Sequence, residues 1–173
     1  LIGQLGSSAT ITKLRNYSLN LYKQLEKETG LSTGLKQNGS LTVATSTGRL
    51  QELKRQVTTA QLFNVEANEV SKDQIKSLYP LINTDDVIGG VHIPKDGQAD
   101  PVGVTNVLAK AAKEQGANFI EHCSVKKILI QNKQIVGVET DQGKIDCEYI
   151  VLASGMWSRQ IAADVNVSVP LYP

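Results

Sequence analysis

The stretch Tyr149-Ile150-Val151-Leu152-Ala153-Ser154-Gly155-Met156-Trp157-Ser158 decides the fold. Its first five residues carry no polar interruption, which suits a strand buried on both faces, as in the middle of an α/β sheet. Gly155 follows at the carboxyl end of that strand, where open α/β sheets hold ligands and a missing Cβ lets the backbone approach one. Residues Ser158 to Ala163 can then start a helix whose N–H groups face a phosphate. A strand, a glycine and a helix also occur in any α/β protein. The full phosphate fingerprint G-x-G-x-x-G is absent, because Gly3-Gln4-Leu5-Gly6 lacks both the preceding strand and the spacing.

Upstream of this stretch, Val125 to Ile130 and Gln134 to Thr140 read as two strands joined at Asn132-Lys133, hence a hairpin, with Phe119-Ile120 as a further short strand. Asp100 caps a helix that places Pro101 at its first position and runs to about Gln115 before Gly116. Its position between strands suits a crossover unit. Val87 to Pro94 is a strand broken by Gly89-Gly90, leading into the turn Lys95-Asp96-Gly97. Ser71 and Gln74 have the spacing of a reciprocal cap for a short helix that Tyr79-Pro80 stops. A helix from Thr47 to Leu62 turns Leu50, Leu53, Val57 and Leu62 inward. Ser40 to Thr45 alternates as a half-buried strand. The first helix, Ser8 to Glu28, carries Ile11, Leu14, Leu21 and Leu25 on one face and closes at Gly30.

Composition narrows the function classes. The chain has 173 residues, 40% of them apolar, with 18 basic against 17 acidic side chains. A net charge of +1 without a basic block gives no electrostatic reason to expect nucleic acid or an anionic membrane as partner. Cys123 and Cys147 lack a CxxC or a nearby histidine pair and are expected as buried free thiols in a reducing compartment. His92 and His122 stand alone, so neither a metal centre nor a Ser, His and Asp grouping assembles around them. The single methionine is Met156, so Leu1 is not a translation start; the chain is expected to be processed or an excerpt.

Several blocks, in order, resemble one family. Glu28 to Gly34, Gln37 to Leu41, Leu78 to Ile82, Pro94 to Pro101, and Gly137 through Ser158 are similar to the FAD-dependent amine oxidoreductases of the D-amino-acid oxidase superfamily, which include sarcosine and dimethylglycine dehydrogenases. The resemblance implies an α/β (mixed α+β) fold: part of a Rossmann-like FAD-binding domain interleaved with a substrate domain on a mixed or antiparallel sheet. Residues 1–30 would link from the FAD domain, 31–99 belong to the substrate domain, 100–163 return to the FAD domain, and 164–173 start re-entry. It implies oxidation of N-methyl amines such as sarcosine or dimethylglycine through FAD. It leaves tetrahydrofolate open as a carbon acceptor for the full-length protein.

The same resemblance implies a small amine substrate, an electron acceptor of unknown identity, and an intracellular site, cytoplasmic or mitochondrial matrix. It places the Val125 backbone against the adenine, and Ala153, Ser154, Gly155, Met156 and Trp157 along the phosphate and ribose region. Trp157 is also expected to anchor the last helix by packing, and Tyr172 to be ordinary surface. The family's dinucleotide fingerprint lies before the position of Leu1, so the isolated chain is expected to be inactive and no catalytic residue is assigned. A glycine or D-amino-acid oxidase-like flavoenzyme, and a non-catalytic assembly module that retained the fold, are the alternatives.

Overall fold

Helix starts and stops follow the local chemistry. Helix α1 (Ala9–Thr29) begins at Ser8, whose hydroxyl accepts the Ile11 N–H, and ends at Gly30 with φ 68°. Helix α2 (Thr47–Gln61) is capped by Ser46, and α3 (Lys72–Leu78) by the Ser71/Gln74 capping box. Helix α4 (Pro101–Glu114) starts with Pro101 behind Asp100, whose carboxylate accepts the Val102 and Gly103 N–H groups at 3.2 and 2.9 Å. The computed structural model describes residues 1–171 and divides the chain into two units, Leu1–Ala117 and Asn118–Pro173. Tyr172 and the end of the 164–173 segment therefore lie partly or wholly outside the described residues.

In the first unit, strands β1 (Ser40–Ala44), β2 (Asn68–Val70) and β3 (Gly89–Ile93) form an antiparallel sheet in the order β1-β3-β2. Ala44 faces Gly89 and Ser40 faces Ile93 across β1 and β3. One face of the sheet packs on α2, where Ala44, Leu53 and Val91 form a buried cluster flanked by Leu50, Val57 and Ile93. A second cluster joins Leu25 of α1 to Val107 and Ala111 of α4. Helix α4 thus packs on α1. It is not a crossover within one parallel sheet, because β3 and the next strand belong to different, antiparallel sheets.

Two apolar faces differ from the sequence expectation. Ile11 and Leu14 are exposed, and the buried positions of α1 are Thr12, Leu19, Leu25 and Thr29. The chain before α1 turns back at Leu5-Gly6 and needs a partner for its backbone. Thr12 supplies it, accepting from the Gly6 N–H at 3.0 Å while donating to the Ser8 carbonyl at 2.9 Å. Leu62 lies at the C-cap of α2 and is exposed; the buried apolar residue after the helix is Val65.

The turn after β3 holds the unit together. Asp96 is 4% exposed, and its Oδ1 accepts the Gln4 N–H at 2.7 Å while Oδ2 accepts the Ser40 hydroxyl at 2.6 Å. Its carbonyl accepts the Gly39 N–H, and Gly97 exchanges two backbone hydrogen bonds with Ile2. Gln98 does the same with Lys36. These segments pass so closely that a Cβ on Gly97 would lie 2.2 Å from the Lys36 carbonyl oxygen.

In the second unit, β4 (Val125–Gln131), β5 (Gln134–Thr140) and β6 (Gly143–Asp146) form an antiparallel sheet in that order. Asn132 and Lys133, at φ 51° and 63°, make the two-residue turn of the β4–β5 hairpin. Strands β2 and β6 are short and escaped the sequence pattern, whereas Phe119-Ile120 forms no strand. The expected buried strand at 149–153 is also absent: Tyr149 is 86% and Val151 91% exposed. A strand apolar on both faces needs hydrogen-bonded neighbours and a covering layer on each side. Among the described residues, none pairs with this stretch. A short 3₁₀ turn (Gly155–Trp157) and α5 (Ser158–Ala163) follow.

Two outcomes follow for stability. Asp96→Ala strips the acceptor from a half-buried N–H and a half-buried hydroxyl and is expected to cost about 1 to 3 kcal/mol, read as a lower denaturant midpoint. The Glu26 carboxyl lies below its ordinary value of 4.5, chiefly because the Thr33 hydroxyl donates to it, seconded by the Thr33 N–H. A depressed native pKa adds stability above pH 4.5 that is lost as pH falls through the lower native value. Thermal unfolding of Glu26→Gln should therefore show a shallower loss than the parent in that acidic window; parallel profiles would contradict the assignment.

Candidate functional site

The second unit contains every residue that the sequence singles out for a cofactor. Val125 opens β4, pairs with Thr140 and is 41% exposed, with a register shift between it and Lys127. Helix α5, which follows the 153–157 segment, packs against β4. Ala153 is exposed and Ser154 half-buried, and their backbone leads into the 3₁₀ turn that the Trp157 N–H closes on the Ser154 carbonyl at 3.2 Å. The Ser154 and Ser158 hydroxyls meet at 3.0 Å.

Gly155 adopts φ 55°, and a Cβ there would find no atom within 4 Å. The backbone is thus bare and open at the position expected to lie along a cofactor. Met156 and Trp157 are 49% and 64% exposed. The packing role expected of Trp157 is consequently not seen among the described residues; Ser158 and Ala162 are the buried residues of α5. Met156, Trp157, Arg159, Gln160, Ala163 and Leu171 surround a hollow of about 510 Å³. An unobstructed glycine backbone, two exposed apolar side chains and a guanidinium thus lie together at this hollow. They do not form a pyrophosphate cradle, since α5 spans only six residues and begins without a side-chain cap.

Among the described residues, no group of three or more His, Cys, Asp or Glu side chains could hold a metal ion. Cys123 and Cys147 are free and half-buried. His122 is exposed at φ 53°, while His92 is half-buried on β3. No helix among the described residues is long and apolar enough to cross a membrane. Asp96, read from sequence only as part of a turn, is the buried anchor of the first unit; the turn residues around it were visible, but the distant Gln4 and Ser40 partners carry no local signal.

Residues 2–173 match the family model described as DAO, FAD dependent oxidoreductase. The chain belongs to this family. It is 39% identical to the 4-methylaminobutanoate oxidase (formaldehyde-forming) of Paenarthrobacter nicotinovorans, over 95% of its own length and 20% of that protein. Identity to the mitochondrial sarcosine dehydrogenase of Homo sapiens is also 39%, over 86% of this chain and 17% of the relative. The mitochondrial pyruvate dehydrogenase phosphatase regulatory subunit of Mus musculus is 35% identical over 95% of this chain and 19% of its own length. Among solved structures, the L-proline dehydrogenase of P. horikoshii superposes with a TM-score of 0.90 at 30% identity, covering 96% of this chain and 44% of that one. The chain therefore spans about a fifth of the sequence relatives it matches.

Because no neighbouring atom opposes a side chain at Gly155, Gly155→Ala is expected to cost only the left-handed backbone strain, about 1 kcal/mol. Denaturant titration of the chain checks this; a loss of several kcal/mol would mean that Gly155 is packed rather than open.

Proposed function

We propose that this chain is the middle portion of a flavin-dependent enzyme that oxidises N-methyl amino acids. The observation that carries the reading is the 39% identity shared with two relatives whose names specify such substrates, 4-methylaminobutanoate and sarcosine. Both compounds combine an N-methyl amine with a carboxylate and differ in the number of methylenes between them. FAD, when bound, would take up the hydride equivalents from the methyl carbon. This chain's part is to hold and orient. On this reading Val125 offers its backbone to the adenine side. Ala153, Ser154, Gly155, Met156 and Trp157 line the phosphate and ribose region, where the open Gly155 backbone admits close approach. An electron acceptor, and tetrahydrofolate as a carbon acceptor, would be engaged by other parts of the full-length protein. An intracellular setting, cytoplasmic or mitochondrial, goes with this reading.

A second reading has an observation of its own. The regulatory subunit of the phosphatase is 35% identical over nearly the whole chain, so the family fold also serves in a protein named for regulation. A non-catalytic assembly module would then keep the scaffold without turnover. Similarity of fold alone does not choose between an N-methyl amino acid and a glycine or D-amino acid as substrate.

Purifying the full-length protein, recording its flavin spectrum after gel filtration and assaying sarcosine and 4-methylaminobutanoate separates these readings. The enzyme reading expects retained flavin that bleaches with an N-methyl amino acid. Retained flavin without bleaching by either compound, or no flavin at all, favours the alternatives. The 173-residue chain alone is expected to retain no flavin, since it lacks the G-x-G-x-x-G fingerprint. Stoichiometric flavin on that fragment would overturn the expectation.

A further inference from the structure

The Asp96 junction brings together two dipeptides of one chemical kind. Asn38-Gly39 and Asp96-Gly97 are the only places in the chain where an asparagine or aspartate precedes a glycine. In such a pair the glycine nitrogen can attack the preceding side-chain carbonyl carbon, because no Cβ on the glycine stands in the way. The two pairs meet directly: the Gly39 N–H donates to the Asp96 carbonyl at 2.8 Å, and the Gly97 N–H donates to the Ile2 carbonyl at 2.9 Å. Their side chains differ. Asp96 is 4% exposed with both oxygens engaged, so its carboxyl is not free to turn toward the Gly97 nitrogen. Asn38 is exposed, and among the described residues its amide has no hydrogen-bond partner. A bulkier residue after Asn38 would slow the attack, but the fold excludes one. Gly39 has φ 82°, and a Cβ there would sit 2.6 Å from His92 Nε2.

We propose that Asn38 is a site of spontaneous modification, converted to aspartate and isoaspartate at a rate set by opening of the Asp96 junction. The Gly39 nitrogen gives its proton to solvent base and bonds to Asn38 Cγ, and the side-chain nitrogen takes up a proton and leaves as ammonia. Water then opens the five-membered imide at either carbonyl, giving aspartate or isoaspartate. The net change is one water in and one ammonia out, with no oxidant or cofactor consumed. In the closed junction the Asp96 carbonyl holds the N–H that must be surrendered, and local opening releases it. The product acts back on the junction. Isoaspartate inserts a methylene into the backbone ahead of Gly39, so the Gly39 N–H and the Ser40 hydroxyl can no longer both keep their bonds of 2.8 and 2.6 Å to Asp96.

Incubating the full-length protein in mildly alkaline buffer at physiological temperature tests this, with peptide mapping by mass spectrometry. Labelling by protein isoaspartyl methyltransferase scores the isoaspartate. Asn38 should convert ahead of the other asparagines, and Asn38→Ser should remove its label. A free peptide spanning Gln37 to Leu41 gives the unprotected rate. It should convert faster than the protein by about the factor that protects the Gly39 amide from hydrogen exchange. Asp96→Ala, which removes two anchors of the junction, should speed conversion of Asn38 about tenfold. Where circular dichroism shows that variant unfolded, Ser40→Ala decides instead: it removes only the hydroxyl at Asp96 Oδ2 and should speed conversion about threefold. An Asn38 that stays intact while other asparagines convert, isoaspartate at Asp96 in its place, or a rate that the junction variants leave unaltered overturns the proposal.

Discussion

A buried carboxylate imposes the constraint on which the first unit depends. Asp96 is 4% exposed, and both of its oxygens are engaged, one by a backbone N–H and one by a hydroxyl. A buried anion without such partners would be strongly unfavourable. Satisfying it therefore selects one arrangement of three separate segments: the N-terminal stretch at Gln4, the start of β1 at Ser40, and the turn after β3. The backbone exchanges between Gly97 and Ile2 and between Gln98 and Lys36 close the same junction from either side. Once the end of β3 is fixed in this way, the alternation of the strand decides which side chains meet α2 and which do not.

That division gives the two faces of the sheet different surroundings. Helix α2 seals one face with Ala44, Leu53 and Val91, an apolar cluster that tolerates no polar intrusion. The other face keeps Gly90 beneath α3. In the second unit Val125 lies on the three-stranded sheet and the 153–157 segment precedes α5, with Gly155 offering open backbone.

Legibility in the sequence divided along a physical line. Three helix ends were readable, since Ser71 with Gln74, Asp100 with Pro101, and Gly30 each act within a few residues of themselves. The Asn132-Lys133 hairpin was readable for the same reason. What failed depends on distant partners. Ile11 and Leu14 had the spacing of a buried face, but the returning Leu5-Gly6 segment recruited Thr12 to that side instead. Tyr149 to Ala153 had the composition of a central strand, but composition cannot supply the neighbours that such a strand needs. The family was legible from blocks in register, and the match over residues 2–173 agrees with it. The Asp96 junction was not, because its partners lie 92 and 56 residues away in sequence.

Native-state hydrogen exchange at single-amide resolution on the wild-type chain tests the central role of that junction most directly. If one buried carboxylate holds the three segments together, the amides of Ile2, Gln4, Lys36, Gly39, Gly97 and Gln98 should open as a single unit, with a common free energy close to that of the β1–β3 ladder. A Gln4 amide that exchanges at the unprotected rate while the β1–β3 ladder stays closed would contradict the account, because the N-terminal segment would then be an attachment to a sheet that stands without it.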